Sequence, residues 1–400
     1  MKTEILKTEY DHAADLIRAG SLVAVPTETV YGLAGNGLDV DAVEQIYEVK
    51  GRPAVKPLSL MVPGAEAIEK VCVNVPKAAY VLAERFWPGP LTIVLESSEQ
   101  VPEIVRAGGI TVGLRCPDHP ATLALLRCAG VPFAAPSANP SGEPSPKTAG
   151  EVLNYFDGKI SAVVDGGPCG IGTESTIVDL SKTPYRILRQ GALPESEIWD
   201  ALVDQMRIVG VTGGSGCGKT TFLQALEKQG TMVLDCDEVY HELLKTSKPM
   251  LDAIDARFPG VVEQGALQIK KLGEIVFHDE QALADLNTIT HRYVTEEIQR
   301  RLREHAKNGG TSAAIDAIAL IESGAGELCD TIVGVTAPRE ARIERLLKRE
   351  GVTRAYAESR IDAQKPNEWF EAHCDRILEN NHTLQAFEQQ CEKLSMEVLK

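Results

Sequence analysis

The sequence predicts two α/β domains in tandem, the second built on a parallel sheet with helices on both faces. Three observations lead there. Four hundred residues is the size of two to three domains. Short apolar, strand-like runs alternate with helical patterns along the chain. A glycine-rich segment, Gly213-Gly214-Ser215-Gly216-Cys217-Gly218-Lys219-Thr220, lies just past the midpoint. Such a segment usually opens its domain, so roughly 200 residues ahead of it need their own explanation.

The first half is α/β with a substantial sheet. Ser21–Pro26, Leu91–Leu95, Ile110–Leu114, Ala162–Asp165 and Thr176–Asp179 read as strands, and Asp41–Lys50 as a helix. The seam falls near 192–206. Pro194 breaks the chain there, but Ile198, Trp199, Leu202 and Val203 have helical spacing, so the connection is short. The expected domains are 1–200 and 205–400.

In the second half Arg207–Thr212 reads as a buried strand, and Thr221–Glu227 as a helix with one apolar face. Strand, Gly-x-x-x-x-Gly-Lys-Thr and helix together make a phosphate-binding loop. Glycines let backbone N–H groups turn toward phosphate oxygens, and the helix N-terminus adds its positive end. Gly213, Gly214, Gly216, Gly218 and Thr221 are therefore nucleotide-binding candidates. Lys219 is expected on the β- and γ-phosphates and the Thr220 hydroxyl on Mg²⁺. Thr231–Asp235, Ala313–Asp316 and Thr331–Val335 are the further strand candidates.

Composition limits the partners. Apolar content of 44% and charged content of 24% are ordinary for globular proteins, and the formal net charge is −16. That charge argues against broad nucleic-acid or anionic-membrane binding, though not against a local basic cleft. Nine cysteines, an odd number with no C-x-x-C pair, point to reduced thiols in the cytoplasm rather than a disulfide framework or zinc site. Cys217 inside the loop reads as a small filler residue. The first residues lack the apolar core of a signal peptide, and no run approaches the ~20 apolar residues of a membrane helix.

Polar clusters interrupt the first half at strand and helix ends: Pro26–Leu33, Lys50-Gly51-Arg52-Pro53 with Lys56-Pro57-Leu58, Arg115–Pro120, Ala135–Gly142 and Glu174-Ser175-Thr176. Cations there suit phosphate or carboxylate, and hydroxyls and amides suit a ribose, base or amino acid. In this order, Pro26–Leu33, Lys50–Pro53, Lys56–Leu58, Ser137-Ala138-Asn139 with Ser141-Gly142, and Ser175-Thr176 with Arg189 resemble the threonylcarbamoyl-AMP synthase family over about residues 10–192. The resemblance implies a twisted open mixed sheet with a concave, positively lined nucleotide cavity where ATP, L-threonine and bicarbonate meet. N-carboxythreonine would attack the α-phosphorus of ATP, releasing pyrophosphate. It assigns Lys50, Arg52 and Lys56 to triphosphate and carboxylate. Ser137, Asn139, Ser141 and Arg189 would bind the nucleotide, and Thr27, Tyr31, Arg115 and Ser175 would shape the threonine side. No side chain reads as a covalent nucleophile, so positioning and electrostatics should dominate. Met61 stands where many relatives carry His, and the segment resembles the short form of the family followed by a different domain.

In the second half Asp235-Cys236-Asp237 follows a strand-like run. Carboxylates at i and i+2 of a strand share a side and would face the site at the sheet's carboxyl edge, Asp235 toward Mg²⁺ and Asp237 toward a hydroxyl proton. The other reading is a helix N-cap with a solvated Asp. Arg342, Arg345 and Arg349 fall at helical spacing, either a solvated face or a lid over transferring phosphate. The loop, Asp235–Val239, Leu272–Phe277, His291, Arg349, Arg360–Gln364, Asp375 and Asn380 resemble dephospho-CoA kinase over about 207–398. The resemblance implies transfer of the ATP γ-phosphate to the 3′-hydroxyl of dephospho-CoA, with Asp237 as base, Lys219, Thr220 with Mg²⁺, and Arg349 on the phosphates, and Arg360 and Gln364 binding nucleotide. Asp316–Glu322 departs from the family's Asp-x-Pro-Leu-Leu-x-Glu pattern, and His291 is followed by Arg292 rather than Pro. A kinase of another hydroxyl acceptor, and an RNA- or nucleotide-binding first half without catalysis, stay open. On the leading reading the threonylcarbamoyl group would be passed to tRNA by a separate transferase complex.

Overall fold

The computed structural model describes Lys2–Lys400. It divides into two compact units, the first reaching Asp204 and including Lys307–Gly309, the second comprising Gln205–Ala306 and Gly310–Lys400. No helix among the described residues is long and apolar enough to cross a membrane.

The first unit is built on one ten-stranded mixed sheet. Its strands are β1 (Glu4–Leu6), β2 (Val23–Val25), β3 (Gly32–Asn36), β4 (Ser59–Met61), β5 (Leu91–Glu96), β6 (Thr111–Arg115), β7 (Phe133–Ala134), β8 (Ala162–Val164), β9 (Thr176–Asp179) and β10 (Arg186–Arg189). They lie in the order β1-β8-β2-β3-β7-β4-β6-β5-β9-β10. β4 and β6 are parallel, as are β5 and β9, while β5–β6 and β9–β10 are antiparallel. Central strands such as β2 and β8 are buried along their whole length, which is why they read as unbroken apolar runs. The helices Tyr10–Arg18 and Pro120–Ala129 seat Ala13, Ala14, Ile17, Leu125 and Leu126 in one core with Val23 and Val25. The helix Val40–Lys50 starts on Asp39, whose carboxylate accepts from Asp41 N and Ala42 N.

The second unit holds a five-stranded parallel sheet of β11 (Arg207–Thr212), β12 (Met232–Asp235), β15 (Ser312–Asp316), β16 (Thr331–Thr336) and β17 (Arg376–Glu379). The order is β12-β15-β11-β16-β17, with β13 (Val262–Glu263) and β14 (Ala266–Leu267) forming a separate hairpin. Helix Lys219–Glu227 buries Phe222, Leu223 and Leu226 in one core with Val209, Val333, Phe387 and Cys391, the last two from helix Leu384–Val398. A satellite core of Met250, Ile254, Phe258, Leu272 and Leu286 holds the helices around the hairpin together. The α/β class read from the sequence is the fold observed. Register brings Asp235 beside Asp316, and Asp316 beside Val211, so three strands end together next to the loop at 213–218.

One local reading is overturned. Asp235 and Asp237 do not share a strand face. β12 ends at Asp235, which becomes the N-cap of helix Cys236–Thr246 and accepts from Asp237 N at 2.8 Å and Glu238 N at 3.1 Å. Two otherwise unpaired helix-end amides hold that carboxylate, an interaction a continued strand lacks.

Candidate active sites

The first site follows from strand order. β4, β6, β5, β9 and β10 are consecutive neighbours, so residues on or just beyond them converge although they are scattered in sequence. Ser59 and Met61 on β4, Thr92 on β5, Arg115 at the end of β6, Ser137 beyond β7, Ser175 before β9 and Arg189 ending β10 line one cavity of about 180 Å³ with Arg52 and Glu174. Three guanidinium groups thus face one space.

Each is held. Arg115 Nη2 donates to Glu28 Oε1 at 2.7 Å and to Thr29 Oγ1 at 2.7 Å, and its buried Nε has no partner. The Arg115 and Glu28 side chains are 9% and 12% exposed. Arg189 donates to Ser175 O from Nε at 3.1 Å and Nη2 at 2.9 Å, and pairs with Glu174 through Nη1. Arg52 donates to Pro57 O at 3.0 Å and Lys56 O at 3.3 Å. The hydroxyls of Ser175 and Thr92 lie 2.8 Å apart.

Of the residues expected here, Arg52, Arg115, Ser137, Ser175 and Arg189 line the cavity, and six do not. Lys50 is 3% exposed, and its ammonium donates to Ser137 O and Asn139 O, clamping the loop that presents Ser137. Burial, with Arg52 nearby, pulls its pKa down to about 8. Tyr31 is fully buried and donates to Gly167 O at 2.8 Å, and burial pushes its phenol up to about 12. Thr27 caps its own turn, donating to Val30 O at 2.6 Å. Asn139 spans its loop to Glu143 O at 2.6 Å, while Ser141 and Lys56 are exposed to solvent. A polar side chain in such a motif either lines the cavity or buttresses the loop, and spacing alone does not separate the two. Sequence reasoning misses Glu174, Ser59, Thr92 and Met61 as members of the wall. Glu174 directly precedes Ser175 in a polar cluster, and that adjacency is the signal that could have found it.

In the second unit the loop Gly213–Gly218 joins β11 to helix Lys219–Glu227. Gly213 has φ 140, and a Cβ there would sit 2.2 Å from Val335 O; Gly218 has φ 110, and a Cβ would sit 2.5 Å from Asn380 Nδ2. Only glycine meets both the backbone angle and the close approach. Residues 214–218 of the loop, Thr220, Thr221, Asp235, Asp237, Asp316, Arg345, Lys348, Arg349 and Arg360 enclose a cavity of about 670 Å³, and Gly213, expected on nucleotide, is absent from its wall. Lys219 Nζ donates to Gly213 O at 3.2 Å and lies 3.7 Å from Asp316 Oδ1. Burial raises the Asp316 pKa to about 6; Lys219 opposes the rise, and Asp235 and Asp237 add to it. Sequence reasoning meets Asp316 only as the acidic end of the 316–322 stretch that lines the acceptor site in relatives, and assigns it no role of its own. Its place at the carboxyl end of a strand is the signal that could have found it.

A second cavity of about 290 Å³ adjoins, sharing Asp237, Ala317 and Ile318 with the first. Tyr240, Leu286 and Val294 give it apolar walls, and Asn287, Thr290 and His291 give it polar ones. Burial lowers the His291 pKa.

The expected arginine row divides. Arg349 lines the large cavity and pairs with Glu350, as does Arg360 at 2.8 Å. Arg342 is buried behind the loop, donating to Ser215 O at 2.9 Å. Arg345 donates to Gly216 O at 3.1 Å and Asn380 Oδ1 at 3.0 Å. Gln364, expected on nucleotide, instead accepts from Ser215 N at 2.9 Å and is absent from the cavity wall.

Two family models match. Residues 15–191 fit Sua5–YciO–YrdC, described as telomere recombination, and residues 207–386 fit dephospho-CoA kinase. A threonylcarbamoyl-AMP synthase of Pyrococcus abyssi is 49% identical over 196 residues, which cover 49% of this chain and 57% of that one. One from Marinobacter nauticus is 35% identical over 169 residues, covering 42% and 89%. A dephospho-CoA kinase of Geobacter sulfurreducens is 34% identical over 191 residues, covering 47% and 97%. The chain thus spans little more than half of the P. abyssi protein, but nearly all of the other two relatives. The chain belongs to two families at once, Sua5–YciO–YrdC through its first unit and dephospho-CoA kinase through its second.

Proposed function

We propose that the chain carries two ATP-dependent activities, one on each unit. In the first unit L-threonine and bicarbonate form N-carboxythreonine, whose carboxylate oxygen attacks the α-phosphorus of ATP. The bond to pyrophosphate breaks, leaving threonylcarbamoyl-AMP. The observation that carries this reading is the convergence of Arg52, Arg115 and Arg189 on one cavity with the Ser137 and Ser175 hydroxyls. Fixed cations offset charge on the pentacoordinate phosphorus and the departing pyrophosphate, and no covalent enzyme intermediate is needed. The product serves N6-threonylcarbamoyladenosine formation in tRNA through a separate transferase complex. Incubating the chain with L-threonine, bicarbonate and Mg-ATP and detecting threonylcarbamoyl-AMP by mass tests it. Arg189→Ala should lose the product, and its persistence at the wild-type rate would remove this site from the reaction.

In the second unit the γ-phosphate of ATP passes to the 3′-hydroxyl of dephospho-CoA. Asp237 carries this reading because it belongs to both cavities, the place for a base between donor and acceptor. Lys219 and Arg349 hold the phosphates. Asp316 Oδ1, buried and without a hydrogen-bond partner, and the Thr220 hydroxyl are oxygen groups that suit Mg²⁺, which usually takes few protein ligands. Thr220 and Asp235 would hold Mg²⁺, which offsets phosphate charge when bound with the nucleotide. Dephospho-CoA and Mg-ATP should yield CoA, and Asp237→Asn should not. A folded chain that binds ATP but makes no CoA would point to another hydroxyl acceptor at Ala317–Ala319. Both reactions fit the cytoplasm.

A further inference from the structure

Behind the phosphate loop lies a polar layer in which Gln364 stays off the cavity wall and Arg342 is almost out of solvent. Arg342, 4% exposed, donates from Nε to Ser215 O at 2.9 Å and from Nη2 to Gln364 Oε1 at 2.8 Å. The same Gln364 oxygen accepts from Ser215 N at 2.9 Å, and Gln364 Nε2 donates to Ser215 Oγ at 2.8 Å. Ser215 is therefore gripped at its amide, carbonyl and hydroxyl by two side chains distant in sequence. The next two carbonyls are capped as well, Gly216 O by Arg345 at 3.1 Å and Cys217 O by Asn380 Nδ2 at 2.9 Å.

In a planar trans peptide the C=O and the following N–H point opposite ways. Drawing Ser215 O and Cys217 O outward turns Gly216 N–H and Gly218 N–H toward the cavity their residues line. Donors aimed at an anion before it arrives need no reorganisation when it binds.

We infer that Arg342 and Gln364 are positioning residues for the nucleotide: they hold Ser215 so that the Gly216 and Gly218 amides face the cavity before phosphate enters. This rests on the reading that the loop holds ATP phosphates. Gln364 follows helix Arg354–Asp362, which carries the cavity-lining Arg360. The same side chain therefore ties the loop to the segment that brings a further cation to the phosphates.

The test is hydrogen exchange of the peptide spanning 211–222 in the full chain, titrated with Mg-ADP, beside the KM and kcat for ATP in CoA formation. Gln364→Leu removes the shared acceptor and keeps the bulk. It should weaken Mg-ADP protection and raise KM for ATP at least tenfold, with a smaller fall in kcat. Gln364→Glu keeps an acceptor for both donors and should recover to within about threefold of wild type. Arg342→Lys keeps the buried charge, drops the fork and should resemble Gln364→Leu, so the inference survives if either variant folds poorly. Exchange elsewhere in the unit reports that folding. Equal protection in wild type, Gln364→Leu and Arg342→Lys overturns the inference, as does a Gln364→Glu chain as weak as Gln364→Leu, which would assign the position to packing. No protection in wild type overturns the nucleotide reading itself, a result distinct from the other two.

Discussion

Lys219 Nζ and Asp316 Oδ1 face each other across 3.7 Å at the carboxyl edge of the parallel sheet, each side chain 14% exposed. The pairing does not make Asp316 a strong acid, because burial and two neighbouring aspartates outweigh one lysine. Its folded pKa, about 6, lies above the ordinary 3.8. The unfolded state gives up this proton first, so the stability linked to Asp316 is fully present below pH ~4 and is lost as pH rises through ~6. The difference between the two pKa values corresponds to roughly 3 kcal/mol as an upper figure. Asp316→Asn should therefore stabilise the second unit by about 1–2 kcal/mol at pH 7.5, less than the upper figure because Lys219 loses a partner, and by little at pH 4. Phosphoryl transfer should fall at least tenfold. Denaturant melts at both pH values check it, and equal ΔΔG at the two would contradict the assignment.

Lys219→Ala should abolish phosphoryl transfer, a fall of about 10³ or more, while threonylcarbamoyl-AMP formation continues at the wild-type rate. Loss of both in a folded chain would show that the units are coupled. Mass detection of both products in one reaction decides between them.

Glu28 is the nearly buried partner of Arg115. Removing one member of such a pair leaves an uncompensated charge at a cost of about 3–5 kcal/mol. Glu28→Ala should lower the first unit's stability by about 3 kcal/mol, and Glu28→Gln, which keeps an acceptor, by less. A melt unchanged in Glu28→Ala would mean that solvent reaches Arg115.

Glu174 places a carboxylate on the wall of an otherwise cationic cavity and holds Arg189. Glu174→Gln should tighten pyrophosphate binding by about two- to tenfold, because Arg189 keeps its two bonds to Ser175 O and loses a competing anion. Calorimetric titration with pyrophosphate measures this. Weaker binding would make the carboxylate a scaffold for Arg189 instead.

What is legible in the sequence is local. The phosphate loop declares itself because its strand, glycines, Lys219 and helix are contiguous. The alternation of strand and helix carries the α/β class. What is not legible depends on direction. Lys50, Tyr31 and Thr27 stand in the right motifs yet point behind the loops they belong to, while Arg52 and Ser175 point in. Asp235 reads as strand because the apolar run before it is strand-like; the two amides that make it an N-cap come from residues after it. Strands as short as β7, with two residues, leave no periodicity to read. Asp316 needs the register of β12 and β15, a long-range fact, before its burial beside Asp235 is visible.

Both sites pair several of their cations with acids of their own. Arg115 has Glu28, Arg189 has Glu174, Lys219 has Asp316, and Arg349 and Arg360 share Glu350. An incoming anion that engages these five groups must therefore displace a tethered carboxylate rather than a diffusing chloride. A singly charged ion competes poorly with a neighbour at such high local concentration, whereas a polyphosphate reaches several cations in one event. The resident acids thus act as a valency filter, and nucleotide binding should depend less steeply on bulk salt than the number of basic residues alone implies.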